Sequence, residues 1–281
     1  MTLVFHHGAL GDSVLVHPLL ASLAGEVTFV THHAKAKLAA RTKPHVHPAN
    51  LDAPPWACLF ASDSGDAALF RGVTTILSFV SDGQDVWAAN VRRLAPHAKV
   101  CFIDPRPPAT WTQHLTQWHR GQLQRQGLTL PPAPAIARRH NPDGPIVLHP
   151  GSGGLAKCWP PDRFHALAAR LRHRADVRLI IGEAEHTRGQ FPDATVLDTL
   201  DDLHDTIAAA WWYVGNDSGP THLAARLGVP TLALFGPTDP RVWAPMGPAV
   251  TVLAPPRPGA MDWLDVDTVL EAAPPSASRR G

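Results

Sequence analysis

Cysteine is scarce, with only Cys58, Cys101 and Cys158 in 281 residues. An odd number at wide spacing excludes a disulfide framework and a cysteine metal site, and it suits a reducing compartment. Net charge is nearly absent too: 25 basic against 24 acidic residues leave a formal +1, so no overall field exists to hold a nucleic acid. No apolar run reaches the roughly 20 residues of a membrane span. No basic leader stands before the first apolar stretch, so a cytoplasmic protein is expected. Histidine is abundant at 17, yet no His-Glu-x-x-His pattern occurs. Adjacent pairs such as His6–His7 and His32–His33 cannot both face one ion from a regular element, so no metal site is expected.

What is present is α/β patterning with glycine-rich turns. From Val214 to Pro240, an apolar run enters Gly-Asn-Asp-Ser-Gly, and Leu223, Ala224 and Leu227 follow at helical spacing. Asp217 or Ser218 can cap that helix, Pro220 suits its first turn, Gly228 ends it, and Thr231 to Phe235 is the next strand. In such a βαβ unit the turn aims unpaired N–H groups and the positive end of the helix dipole into the crevice, and phosphate is the favoured guest. The bland alternative is a well-capped helix in an ordinary α/β domain.

The chain opens in the same way. A strand at Thr2 to Phe5 runs into His-His-Gly-Ala-Leu-Gly-Asp-Ser and a helix from about Ser13 to Leu23. Asp12 is either an N-cap or a general base at the crevice mouth. A strand at Glu26 to Thr31 precedes a helix bearing Lys35, Lys37, Arg41 and Lys43, which is either a solvated face or a patch for an anionic acceptor or membrane headgroups. Pro44 to Pro55 reads as loop, with a helix continuing to Ala67. Strands at 74–79 and 99–103 alternate with helices at 85–94 and 109–126. After a proline-rich linker at 136–144, strands at 146–149, 177–181 and Val196 alternate with helices opening at Asp162 and Asp201. Gly182 to His186 reads as a loop. A last strand, 249–253, and helix, 263–272, precede a tail at 274–281 expected to be disordered. The fold expected is two doubly wound domains, 1–135 and 145–273, facing across a cleft.

Three separate motifs carry a resemblance: Gly8-Ala-Leu-Gly-Asp-Ser-Val-Leu-Val-His-Pro18; His149-Pro-Gly-Ser-Gly-Gly with Lys157-Cys-Trp-Pro160; and Asn216-Asp-Ser-Gly-Pro-Thr-His-Leu-Ala-Ala225 with Phe235-Gly-Pro-Thr-Asp-Pro240. Together they resemble the ADP-heptose:lipopolysaccharide heptosyltransferases, glycosyltransferase family nine. The resemblance implies a GT-B architecture of two Rossmann-like domains, the first binding acceptor and the second nucleotide sugar. It further implies metal-independent, inverting transfer, with no cofactor, of a sugar such as heptose from ADP-heptose to a lipopolysaccharide-core or other envelope glycan. Asp12 then matches the proposed base, and Lys157 matches the lysine at the donor diphosphate. Ser152, Gly153, Asp217, Ser218, Gly219 and His222 match the donor loops, with Glu183 or Glu185 placed for the ribose hydroxyls. Gly11, Lys35 and Lys37 fall to the acceptor side, and contact with the inner face of the membrane is expected to be peripheral. The chain departs from the family at His6 and His7, where members usually carry a basic residue, and its first half is short.

Two other readings fit parts of the chain. Gly11-Asp12-Ser13 resembles the block of Gly-Asp-Ser esterases, with Ser13 as nucleophile and Asp201 and His204 in support. A non-catalytic nucleotide-sugar-binding protein of the same fold would keep the second-half motifs alone. Asp265-Val-Asp267 resembles a metal-binding Asp-x-Asp, but its place at a helix start favours capping.

Overall fold

The computed structural model describes residues 1–173 and 175–274. The chain divides into two compact units, Met1–Pro134 and Ala135–Gly281. Apart from Pro274, the expected tail lies outside the described residues.

The first unit runs β1 (Thr2–Phe5), α1 (Leu10–Ser22), β2 (Val27–Thr31), α2 (His33–Thr42), β3 (Val46–Asn50), β4 (Thr75–Ser78), α3 (Val86–Leu94), β5 (Lys99–Phe102) and α4 (Leu115–Arg125). Its sheet has the order β3-β2-β1-β4-β5, with every described pairing parallel. The strands read as near-continuous apolar runs because helices cover both faces. Accordingly there are two core clusters, one built on Val4, Phe29 and Leu77, the other on Leu3, Val30 and Ile76, as alternation along a strand requires. α1 is buried from Ser13 to Leu20 despite Pro18 in its interior.

The second unit runs β6 (Ile146–His149), α5 (Pro161–Arg172), β7 (Val177–Ile181), α6 (Glu183–Thr187), β8 (Thr195–Val196), α7 (Leu200–Ala208), β9 (Trp212–Asn216), α8 (Gly219–Arg226), β10 (Thr231–Leu234), α9 (Pro240–Trp243), β11 (Val250–Leu253) and α10 (Val266–Glu271). Its order, β11-β10-β9-β6-β7-β8, is the doubly wound 3-2-1-4-5-6 plan read from the other edge. In both sheets the chain leaves the first strand in one direction and later returns on its other side. The switch points fall between β1 and β4 and between β6 and β9.

Several expectations are corrected. The segment expected as loop after Pro44 contains β3, which pairs only with β2 among the described strands; Pro48 is tolerated because an edge strand leaves one row of N–H positions unpaired. The helix expected to reach Ala67 is two short 3-10 turns, Ala57–Phe60 and Ala67–Phe70. The helix expected from Ala109 starts only at Leu115, after Pro107 and Pro108. The loop expected at Gly182 to His186 is α6. Asp201 does not cap its helix: Thr199 does, accepting from the Asp202 amide at 3.0 Å.

Candidate functional site

The second unit concentrates polar side chains at its switch point. Asn216 ends β9 fully buried; its Nδ2 donates to the Pro150 carbonyl (2.7 Å) and its Oδ1 accepts from the Trp159 amide (3.0 Å). One side chain therefore pins both ends of the glycine-rich loop that follows β6. Trp159, also fully buried, anchors that end by donating Nε1 to the Leu264 carbonyl. The loop between those anchors presents Ser152, whose Oγ donates to the Asp217 carbonyl (2.7 Å), and Lys157, whose Nζ donates to Asp217 Oδ2 (2.7 Å).

Asp217 is the hub. Its side chain is 6% exposed, Oδ2 also accepts from Thr238 Oγ1 (2.7 Å), and Oδ1 lies 3.6 Å from His222 Nε2. Burial alone would raise its pKa, but His222 and then Lys157 outweigh that and hold the carboxyl at about 2. Ser218 is the N-cap of α8 and Gly219 its first residue, and no side-chain cap bond takes up the first N–H groups of the helix. The Lys157 side chain is 35% exposed, so its remaining N–H donors are open to a ligand. Among the described residues, two buried ring nitrogens here, His222 Nδ1 and His149 Nδ1, have no hydrogen-bond partner. Buried polar atoms are normally satisfied, so a ligand is the natural partner.

Glu185 and Glu183 separate clearly. Glu185 accepts from the Gly182 amide (3.2 Å), and its carboxyl lies where a Cβ on Gly151 would go, 2.5 Å away, so a side chain at 151 would push that carboxyl aside. It is therefore a close neighbour of His149, whose pKa burial lowers to about 4 against the opposing Glu185 charge. Glu183 is exposed at the first position of α6. Gly153 faces open space, since a Cβ added there would meet nothing within 4 Å.

In the first unit, Asp12 is not the N-cap. It occupies the third position of α1 and accepts from the amide of the actual cap, Ala9, at 3.1 Å. Gly8 is forced to be glycine, since a Cβ there would meet Asp12 Cβ at 2.7 Å and His6 Cε1 at 2.8 Å. His6 Nδ1 accepts from the Gly8 amide, and Lys35 Nζ reaches from α2 to the Gly8 carbonyl (2.6 Å). Burial first, then the Lys35 charge, lowers the pKa of His6 to about 3; burial lowers that of His119 to about 4. The pKa of Lys35 is itself lowered by burial, against the pull of Asp12 and Asp52. Gly11 is half-buried beside Asp12, and Lys37 is exposed, so the expected basic patch splits: Lys35 turns to the Asp12 turn and Lys37 to solvent.

The model of glycosyltransferase family 9 (heptosyltransferase) matches residues 92–262, more than half of the chain. The chain belongs to glycosyltransferase family 9. It is 35% identical over 153 residues to lipopolysaccharide heptosyltransferase 1 of Pseudomonas aeruginosa, a match that covers 47% of this chain and 42% of that one. The chain thus spans less than half the length of that relative. Among solved structures it resembles Escherichia coli heptosyltransferase WaaC with ADP (TM-score 0.68, 18% identity, 96% of this chain and 98% of that one). It also resembles a family 9 glycosyltransferase of Veillonella parvula (TM-score 0.70, 16% identity, 96% and 95%). At those identities the likeness is one of fold, and the fold is GT-B.

In this family 9 protein the second-half residues converge: Ser152, Lys157, Asp217 and His222 form one connected group, with Ser218 and Gly219 at the adjoining helix start. The Asp217 carboxylate is occupied by Lys157 and Thr238, so it faces its own network. Sequence reasoning misses Asn216, Thr238 and His149 as site residues, although all three lie inside the motifs that carry the resemblance. The esterase reading does not survive: Ser13 is 1% exposed inside α1, and His204, on α7, pairs with Asp205. Asp265 caps α10 and Asp267 pairs with Arg170, as helix-end acids.

Proposed function

We propose that this chain is an inverting, metal-independent glycosyltransferase moving a sugar, a heptose, from ADP-heptose to a lipopolysaccharide-core or other envelope glycan. It works in the cytoplasm, with peripheral contact at the inner membrane. The observation that carries the reading is Lys157 held on buried Asp217 at the start of α8, next to two buried imidazole nitrogens without partners. A part-exposed cation and a helix N-terminus favour a diphosphate, and both can meet the charge that grows on it as the glycosidic bond breaks.

The first unit holds the acceptor and the second the donor. Asp12 takes the proton of the acceptor hydroxyl as its oxygen bonds to the anomeric carbon. The bond from that carbon to the diphosphate breaks, and its electron pair leaves on ADP. Lys157 stands where a metal-dependent enzyme uses its cation. Asp217 serves as a positioning residue for Lys157 and His222, while Ser152, Gly153, Ser218 and Gly219 line the diphosphate and Glu185, rather than exposed Glu183, takes the ribose.

Calorimetry with ADP, UDP and GDP tests this directly. ADP binding at least about tenfold tighter than the other two, weakened about 10- to 100-fold by Lys157→Ala, is expected. An unchanged dissociation constant in that variant would contradict the role of Lys157. Turnover that persists in excess EDTA is expected, and donor binding without transfer to any envelope glycan would favour the binding-only reading.

A further inference from the structure

The first unit contains a pocket of about 630 Å³ at the carboxyl ends of β1, β4 and β5, lined in part by Asp82, Asp85, Asp104, Phe79 and Phe102. It opens at the switch point of its sheet, where doubly wound folds bind ligands, and its volume suits a sugar or two. It also neighbours the proposed base. Phe79 packs edge-on against His6 and His119 (centroids 5.5 and 5.0 Å), His6 bonds to Gly8, and Asp12 acts electrostatically on His119.

The lining has one sign of fixed charge. Among the described residues, three carboxylates and one histidine, His7, line the pocket, and no lysine or arginine does. Arg92 lies outside the lining, its guanidinium over the Phe102 ring and donating to the Gly83 carbonyl. Each aspartate is set by its own turn: Asp82 Oδ1 accepts from the Gln84 amide, Asp85 Oδ1 from Ala88, and Asp104 Oδ1 from Arg106. The Asp104 backbone is further fixed by Gln122, which bonds both its N–H and its carbonyl. The carboxylates are thus held in place before any ligand arrives.

Resting on the glycosyltransferase reading, we propose that this pocket seats the acceptor and that the sugar unit it takes carries no phosphate or carboxylate. Fixed carboxylates accept strong hydrogen bonds from sugar hydroxyls, and aromatic rings pack on the apolar face of a pyranose. A phosphorylated or carboxylated sugar meets like charge from Asp82, Asp85 and Asp104. An ammonium group in place of a hydroxyl is compatible with the same lining.

Saturation-transfer NMR on the full chain, with ADP present, tests this with four probes: methyl glucoside, methyl glucosaminide, methyl glucuronide and methyl glucoside 6-phosphate. The first two should bind at least about tenfold tighter than the last two, and raised salt should narrow the gap. Asp82→Asn combined with Asp104→Asn keeps both Oδ1 acceptors for the turns and should cut the discrimination to less than about threefold. Anionic probes binding as well as neutral ones, no binding by any probe, or discrimination unchanged in the double variant would each overturn the proposal. ADP binding measured on the same samples separates the cases. Loss of ADP binding in the parent protein would refute the glycosyltransferase reading, and intact ADP binding without sugar discrimination would refute this inference alone.

Discussion

At the switch point between β6 and β9, Asn216 pins two loops and Asp217 gathers Lys157, Thr238 and His222. At the switch point between β1 and β4, Asp12 accepts from the Ala9 amide, and two buried histidines are neutral at neutral pH. The same strand plan thus supports one polar network whose carboxylate is tied to its cation by a direct bond, and another in which a carboxylate stands beside uncharged rings with the Lys35 ammonium held on the Gly8 carbonyl. The first arrangement suits a ligand whose charge must be matched before and during bond breaking. The second leaves a carboxylate less committed, as a proton acceptor requires.

The largest effect expected from this contrast is on transfer. Asp12→Asn keeps an acceptor for the Ala9 amide, so the fold should be retained, but it removes the proposed base. Transfer should fall by about 10²- to 10⁴-fold while ADP affinity stays unchanged. Steady-state rates beside calorimetry read both, and full turnover in the variant would remove the distinction between the two switch points.

Next comes acid sensitivity, which should differ in its pH window. A histidine whose pKa falls on folding contributes stability above its unfolded pKa and loses it as pH drops toward the folded value. For His6 that window runs from 6.5 down to about 3. Of order 5 kcal/mol is at stake. His6→Gln should reduce the slope of thermal stability across that range, with the share of His119 and His149 remaining, and a slope equal to the parent's would show that His6 is not a sensor. Asp217 also has its pKa lowered by folding, from 3.8 to about 2, so its contribution is complete above 3.8 and lost below. That contribution is about 2 kcal/mol. Asp217→Asn should remove the loss in that lower window and leave the upper one unchanged.

How much of this is readable from the chain depends on what kind of signal each residue gives. The strands and the two turn–helix joints are legible because long apolar runs end in glycine and a polar cap. β3 is not, because Pro48 breaks the strand pattern and only its edge position makes it acceptable. The residues of the two glycine-rich loops in the second unit can be named from motifs, but not their wiring. Nothing local tells that Asn216 closes the loop ending 57 residues earlier at Trp159, or that Thr238 shares an oxygen with Lys157. The acidic pocket is illegible for the same reason: Asp82 and Asp104 follow different strands and meet only through the parallel register of β4 and β5.

The smallest effect tests how tightly the second network is balanced. Thr238→Val is close to isosteric and removes only the hydroxyl that donates to Asp217 Oδ2. A neutral hydrogen bond to a charged group contributes about 1.5 to 3 kcal/mol, and part of that returns if Lys157 moves closer. Stability should therefore fall by about 1 kcal/mol. Because Asp217 Oδ2, without the Thr238 hydroxyl, holds the Lys157 ammonium more strongly, less of that charge is left for the diphosphate, and ADP affinity should fall by about two- to fivefold. If affinity held while stability fell, Thr238 would support the loop alone; if both fell together, the hydroxyl helps to keep Lys157 available to the donor.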